Sequence, residues 1–362
     1  MVNMHVQSAM LSDIGRRRNI NQDHGLAEHG LYLVCDGMGG GVAGQEASAI
    51  TIDHFKTLAA VPHRSLSDIA EALQLAQQQV HALGDRLGGV SGTTVTGLIL
   101  ADQPSRDQTK IVENDAQPAS ISQPTESERQ VNDGTIDILS TEDPTASTNH
   151  MNHDMPDQDT IDSSSCWYVV NVGDSRTYHL SRSVDGQWNA STLTQITHDH
   201  SRVQQVIDSG MMPPEMAKQL VPRNLITQCV GSPGGIHPDF FKADLPGRYI
   251  ICSDGLYSEM EDELIATIAA SQDTPQQVVS LLVNTALEHG GSDNVTVVVA
   301  DVTDDESLIP ADPKQWHVEQ VYPDHTEHDA NDNDQQSRED DTLDNLSQTV
   351  VPLPPTSATV QD

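Results

Sequence analysis

Five short runs are almost continuously apolar and rich in β-branched or aromatic residues: HGLYLVCD (29–36), SGTTVTGLILAD (91–102), CWYVVNVGDS (166–175), GRYIICSDG (247–255) and NVTVVVADV (294–302). Bounded by Gly, Asp and Ser, they predict strands. Helical spacing replaces this pattern at 45–60 and at 67–87, where Ile69, Ala72, Leu73, Ala76, Val80, Leu83 and Leu87 share one face. A third helix is predicted over 275–290, stopped by the pair Gly290 and Gly291. Strands come in groups and helices in adjacent pairs, without a βαβα alternation. The expectation is an α+β fold of two stacked antiparallel sheets flanked by helices, an α/β/β/α sandwich.

The polar positions are just as unevenly spread. Residues 102–163 contain no Phe, Trp or Tyr and hold 14 acidic against 3 basic residues, and 304–362 hold 15 against 2. Such segments bury too little apolar surface to offset the entropy of ordering them. The expected organisation is one domain over 1–303, interrupted by an acidic disordered insert at 103–163 and followed by an acidic disordered tail at 304–362. The insert falls between two candidate strands, 91–102 and 166–175, and reads as a tight hairpin whose tip has expanded outward, since closure entropy grows only logarithmically with loop length.

A formal net charge of −36 argues against binding nucleic acid or anionic membrane, because both would be repelled. Cys35, Cys166, Cys229 and Cys252 have no metal-ligand spacing, and three of them lie in or beside apolar strand-like runs, so reduced buried thiols are expected. The N-terminal stretch lacks a continuous apolar signal core, and no run approaches about 20 apolar residues. A cytoplasmic monomer is expected.

The chemistry concentrates at the strand ends. Asp36 closes one apolar run, Asp174 follows VVNVG, Asp254 follows YIICS, and Asp293 precedes NVTVVVADV. A lone Asp-Gly is ordinarily a turn; four aspartates in comparable settings suggest a shared rim. Carboxylates brought within a few ångströms repel unless a cation lies between them, and all-oxygen ligation suits hard ions such as Mg²⁺ or Mn²⁺. The glycines after Asp36 allow the backbone to approach, so that the Gly37 carbonyl becomes a further ligand candidate. In SDIGRRRNINQD (12–23), three arginines precede Asn21 and Asp23. They are the most evident anion-binding element of an otherwise acidic block, and next to a dinuclear metal site they point to phosphate ester hydrolysis.

Taken in order, SDIGRRRNINQD, VCDGMGG, SGTT, NVGDSRTYHL, THDHSRV with RNLITQCVG, CSDGLYSEM and GGSDNVTVVV resemble the metal-dependent protein phosphatases, the 2C-type serine/threonine phosphatases, in their bacterial form. The resemblance runs from about residue 8 to 302. It implies that Asp36 bridges two metals, that the Gly37 carbonyl, Asp254 and Asp293 complete the pair, and that Asp23 holds a metal-bound water. Asp174, shared with Asp254, matches the ligand of a third ion, and Arg18 matches the phosphate-binding arginine, with Arg16 and Arg17 at variable positions. The implied cofactors are two Mn²⁺ or Mg²⁺ ions, with the third as an addition. The implied reaction is attack on phosphoserine or phosphothreonine by a metal-bridging hydroxide. Phosphoproteins, including a partner serine/threonine kinase and its substrates, are the implied partners.

Residues 198–235 align with a mobile flap beside the site. Three positions depart from the family pattern: Gln22 for a glutamate, Met38 where animal-type enzymes have a histidine proposed as general acid, and Ser258 for an aspartate near the third metal. A catalytically inactive adaptor of the same fold, binding phosphorylated partners, is the alternative; degenerate metal aspartates would mark it, and Asp36, Asp254 and Asp293 are all present.

Overall fold

The computed structural model describes residues 4–38, 42–101, 166–222, 225–243, 246–304 and 318–323. The expected insert at 103–163 lies outside these residues, as does the expected tail apart from 304 and 318–323.

In chain order the elements are β1 (Met4–Asp13), β2 (His24–Glu28), β3 (Leu31–Cys35), β4 (Gly37–Met38), α1 (Val42–Lys56), α2 (Leu66–Leu87), β5 (Gly92–Thr93), β6 (Val95–Leu100), β7 (Trp167–Val172), β8 (Arg176–Leu180) and β9 (Thr194–Gln195). There follow α3 (Arg202–Asp208), α4 (Pro214–Leu220), β10 (Asp239–Ala243), β11 (Gly247–Cys252), α5 (Asp254–Tyr257), α6 (Asp262–Ser271), α7 (Pro275–His289), β12 (Val295–Asp304) and β13 (Val318–Val321). One sheet has the order β1-β12-β11-β8-β9 and the other β13-β10-β7-β6-β3-β2, and β4 and β5 pair separately. The pairings are antiparallel, and β6 and β7 form the expected hairpin in the register Leu100↔Trp167.

The continuous apolar runs have a physical reason: each central strand is buried on both faces, against different partners. On β3, Leu31, Leu33 and Cys35 join the core beneath α1 and α2, while Tyr32 and Val34 point into the layer between the sheets. On β11, Ile250 and Cys252 face α6 and α7, and Tyr249 and Ile251 face the other sheet. These three cores make the four layers of an α/β/β/α sandwich. Helix α2 opens on a capping box between Ser65 and Asp68 and closes on Gly88 in the left-handed region.

The structure corrects the sequence reading in places. Leu87, expected on the same face of α2 as the buried Ile69 and Leu83, is exposed at the last residue of the helix. His29 and Gly30, expected within a strand, are the positive-φ turn of the β2–β3 hairpin. Val318–Val321, expected in the disordered tail, is a strand on the edge of β10. The four cysteines are free, with Cys35, Cys166 and Cys252 buried. Among the described residues no helix is long and apolar enough to cross a membrane.

One buried titratable group makes stability depend on pH. His179 is 1% exposed, its Nε2 lies 3.1 Å from the Pro246 carbonyl, and burial pushes its imidazole down to about 4. An unfolded histidine takes up a proton below about 6.5, the folded one only near 4, so stability is intact above pH 6.5 and falls as pH drops between the two values. At pH 5 the loss from this residue is about 2 kcal/mol, at roughly 1.4 kcal/mol per unit. Urea unfolding at pH 7 and pH 5 should show His179→Gln losing less stability than the wild type on acidification; parallel losses would refute this.

Candidate active site

Antiparallel register brings the ends of the central strands to one rim. His24 pairs with Cys35, which sets Asp23 and Asp36 side by side just beyond the β2–β3 ladder. Asp174 follows β7, and Asp254 is the first residue of α5, directly after β11. Asp293 lies two residues before β12, whose Val297 pairs with Cys252. Three contacts tie the loops of the two sheets across this rim. Ser253 Oγ donates to Asp23 Oδ2 at 2.7 Å, the Gln22 amide donates to Asn294 Oδ1 at 2.9 Å, and the Tyr257 hydroxyl donates to the Asp174 carbonyl at 2.9 Å.

The expected aspartates are therefore brought together. Burial, then Asp23, Asp254, Asp174 and Asp293 in turn, lifts the Asp36 carboxyl well above its ordinary range. Burial followed by Asp254 and Asp293 raises Asp23, although the Ser253 hydroxyl works against the rise. Asp174 is raised by burial and then by Asp254, and Asp254 by burial and then by Asp293. Every one of these shifts expresses an excess of negative charge in a poorly solvated place.

A hard divalent cation fits that excess. Asp23 Oδ1 and Asp254 Oδ1 are buried without a hydrogen-bond partner, a costly state for a carboxylate unless something positive faces it. Among the described residues no group of three or more His, Cys, Asp or Glu stands ready-made to hold a metal ion. Gly37 sits where a Cβ would lie 2.2 Å from the Gly44 carbonyl oxygen and 2.6 Å from that of Gln22, so only glycine lets this backbone reach the rim. Gly39 and Gly40 lie outside the described residues.

Arg18 reaches the same cleft: its Nη2 donates to Asp293 Oδ2 at 2.5 Å, and its side chain is half exposed. Arg16 is used otherwise, donating through Nε to the Leu287 carbonyl at the end of α7. Gln22 acts through its backbone, since its carbonyl accepts from Gly37 N and Ser48 Oγ. Met38 pairs with Gly92 on β5 and brings no titratable group. Ser258 is exposed and its amide closes α5 on the Asp254 carbonyl.

Sequence reasoning passed over several residues that build the site. Asn294 donates to the carbonyls of Ile14 and Ile20 while accepting from Gln22, and so pins the loop that carries Arg18. Ser253 orients Asp23. Both stand next to a singled-out aspartate, in CSDG and GSDN, and that repeated adjacency was the available signal. Arg176 is the third: it grips Asp199 through Nε and Nη2 at 3.0 and 2.7 Å, and its guanidinium lies 3.7 Å from the centroid of the Tyr257 ring. Beside it, α3 and α4 of the expected flap border a cavity of about 110 Å³ lined by Asp174, Arg176, Val203, Ile207, Tyr257 and Met260.

Comparison with known proteins adds the following. No family model matches the chain. The serine/threonine protein phosphatase PstP of Mycobacterium tuberculosis is 40% identical over 140 residues, a match spanning 38% of this chain and 25% of PstP. The chain thus spans about a quarter of that relative's length. The crystal structure of the PPM Ser-Thr phosphatase MsPP from Mycobacterium smegmatis, in complex with cacodylate, is 30% identical, with a TM-score of 0.55 over 81% of this chain and 97% of that one. The catalytic domain of PstP in complex with two manganese ions is 26% identical, with a TM-score of 0.57 over 83% of this chain and all of that one.

Proposed function

This chain belongs to the PPM family of serine/threonine phosphatases, and from that premise we propose that it is a Mn²⁺- or Mg²⁺-dependent phosphatase that removes phosphate from phosphoserine and phosphothreonine in proteins, opposing a serine/threonine kinase. The observation that carries this reading is the pair of buried, unpartnered carboxylate oxygens on Asp23 and Asp254, within a group of mutually repelling aspartates and beside the half-exposed guanidinium of Arg18.

Asp36, the Gly37 carbonyl, Asp254 and Asp293 would hold two ions, and Asp174 with Asp254 a third. When bound, the ions supply Lewis acidity toward the phosphoryl oxygens and a nucleophile drawn from water at neutral pH. The chain's own groups do the rest. Arg18 spends one nitrogen on Asp293, which leaves donors of its fork to grip phosphate oxygens and hold phosphorus in line. Asp23, with one oxygen fixed by Ser253, turns the other toward the site, where it can orient an attacking water and accept its proton. Met38 has no proton to give, so it cannot protonate the leaving serine or threonine oxygen.

The test is hydrolysis of a phosphothreonine peptide with added Mn²⁺, with excess EDTA, and by two variants. Turnover should require Mn²⁺ and vanish in Asp254→Asn. In Arg18→Ala, kcat/KM should fall by about 10²–10³, the scale for losing a group that stabilises transition-state charge. A folded, Mn²⁺-binding protein that hydrolyses no phosphopeptide would instead favour the inactive adaptor.

A further inference from the structure

The turn that carries Asp174 is held by the Tyr257 hydroxyl at Asp174 itself and by His200 at the residue before it. Gly173, the preceding residue, has φ +109° and sits where a Cβ would lie 2.5 Å from the Thr94 side chain, so this backbone has little room to move. Both of its main-chain polar groups go to His200. The Gly173 amide donates to His200 Nδ1 at 3.1 Å, and the His200 amide donates to the Gly173 carbonyl at 2.9 Å. The His200 carbonyl in turn accepts from Thr227 N at 2.7 Å, where the chain returns from α3 and α4.

Because Nδ1 accepts, the ring hydrogen sits on Nε2, and from there it is donated to Asp239 Oδ2 at 3.1 Å. Asp239 opens β10. Its other oxygen, Oδ1, accepts from Gln320 Nε2 at 3.2 Å, and Gln320 belongs to β13. Three of the four residues of β13 are exposed, so the strand is held by its ladder to β10, by Val321 packed against the core and by this contact. A strand docked so lightly is the kind of element that opens locally at little cost.

We propose that His200 and Asp239 are positioning residues for the Asp174 turn, and that the C-terminal strand β13 acts on that turn through Gln320, so that docking of the strand tightens metal binding at the Asp174 end of the site. The inference rests on the reading of Asp174 as a metal ligand. The hydrogen-bonded partners behind a ligand fix its orientation, and their loss typically costs about 10–100-fold in metal affinity.

The experiment uses the full chain with Asp239→Ala, Gln320→Ala, His200→Ala and His200→Asn, the last keeping an acceptor close to where Nδ1 stood. Calorimetric titration with Mn²⁺ alone reads each binding step, and the melting temperature in EDTA reads the fold. The weakest Mn²⁺ step should lose about 10-fold in affinity in Asp239→Ala and His200→Ala. It should weaken less in Gln320→Ala and largely recover in His200→Asn, with the tighter steps unchanged. A merely structural role would lower the melting temperature and leave the steps in proportion. If His200→Ala does not fold, Asp239→Ala and Gln320→Ala decide. Unchanged Mn²⁺ binding in those two, or a wild type that binds only two ions, overturns the proposal. Absence of phosphopeptide turnover in the wild type would count against the phosphatase reading alone, because the titration needs no substrate.

Discussion

Asp36→Asn is expected to abolish Mn²⁺-dependent hydrolysis while raising the melting temperature of the protein in EDTA. The two effects have one origin. Asp36 stands among four other carboxylates, and burial first, then those neighbours, holds it well above its ordinary ionisation range. An amide of the same shape stays neutral without taking up a proton, and so escapes the cost of holding a carboxyl in that setting and the repulsion it would exert on Asp23, Asp174 and Asp254 when ionised. The metal-free fold gains, and a gain of about 1 kcal/mol corresponds to roughly 2–4 °C in a domain of this size. On the proposed reading catalysis loses because Asp36 would no longer bind the cations, and charge on the transferring phosphoryl group would go unneutralised; a loss of about 10³ or more in kcat/KM is the expected scale. Added Mn²⁺, which should stabilise the wild type by mass action, should barely move the variant. Melting curves with EDTA and with Mn²⁺ for both proteins check this. A variant less stable than the wild type in EDTA would mean that Asp36 is a structural hydrogen-bonding group.

The largest loss of stability is expected at Arg248. This residue of β11 lies directly opposite Asp301 on β12 and is fully buried. Its Nε and Nη2 each donate to one Asp301 oxygen at 2.6 Å, and Nη1 reaches the carbonyls of Ala269 and Gln272 at 2.5 and 2.8 Å. One guanidinium thus neutralises a buried acid and satisfies carbonyls that the end of α6 leaves open. Burial raises the Asp301 carboxyl in spite of the facing cation, so desolvation outweighs the attraction even in this tight pair. Removing one partner is therefore far worse than removing both. Arg248→Ala should cost about 3–5 kcal/mol, and Arg248→Met with Asp301→Leu should recover most of it. Equal destabilisation of the single and double variants in urea would contradict this account. Lysine would not substitute, because a point charge cannot serve two carboxylate oxygens and two carbonyls in one plane.

How much of this was readable beforehand depended on whether a residue's role lay within its own segment. YIICSD and NVTVVV announced themselves because two-sided burial makes a strand continuously apolar, and an aspartate ending such a run is conspicuous. By contrast, β1 pairs with β12 along one edge and is only partly buried, so MHVQSAMLSD carries no clear period. β8 hides its buried Tyr178 and His179 among residues that look polar. The short helices α3 and α4 bury little beyond Val206 and Ala217, too few apolar positions to trace a face. β13 is mostly exposed and made by main-chain pairing with β10, which leaves no hydrophobic mark. At the site the anionic residues were legible and their supports were not. Ser253, Asn294 and His200 owe their roles to partners more than twenty residues away, a relation that local pattern does not record.

The β6–β7 hairpin puts its two functions at opposite ends of one rod. At the far end, Ala101 N donates to the Cys166 carbonyl where the chain departs and returns across residues 102–165. At the near end, β7 delivers Asp174 to the rim. The six residues of β7 separate these points by roughly 20 Å at about 3.3 Å per residue. The two anchor points of residues 102–165 and the aspartates therefore stand at opposite ends of a strand paired on both sides. The same geometry offers an engineer a port for a reporter or a tether, at a point where the scaffold already accommodates a long excursion.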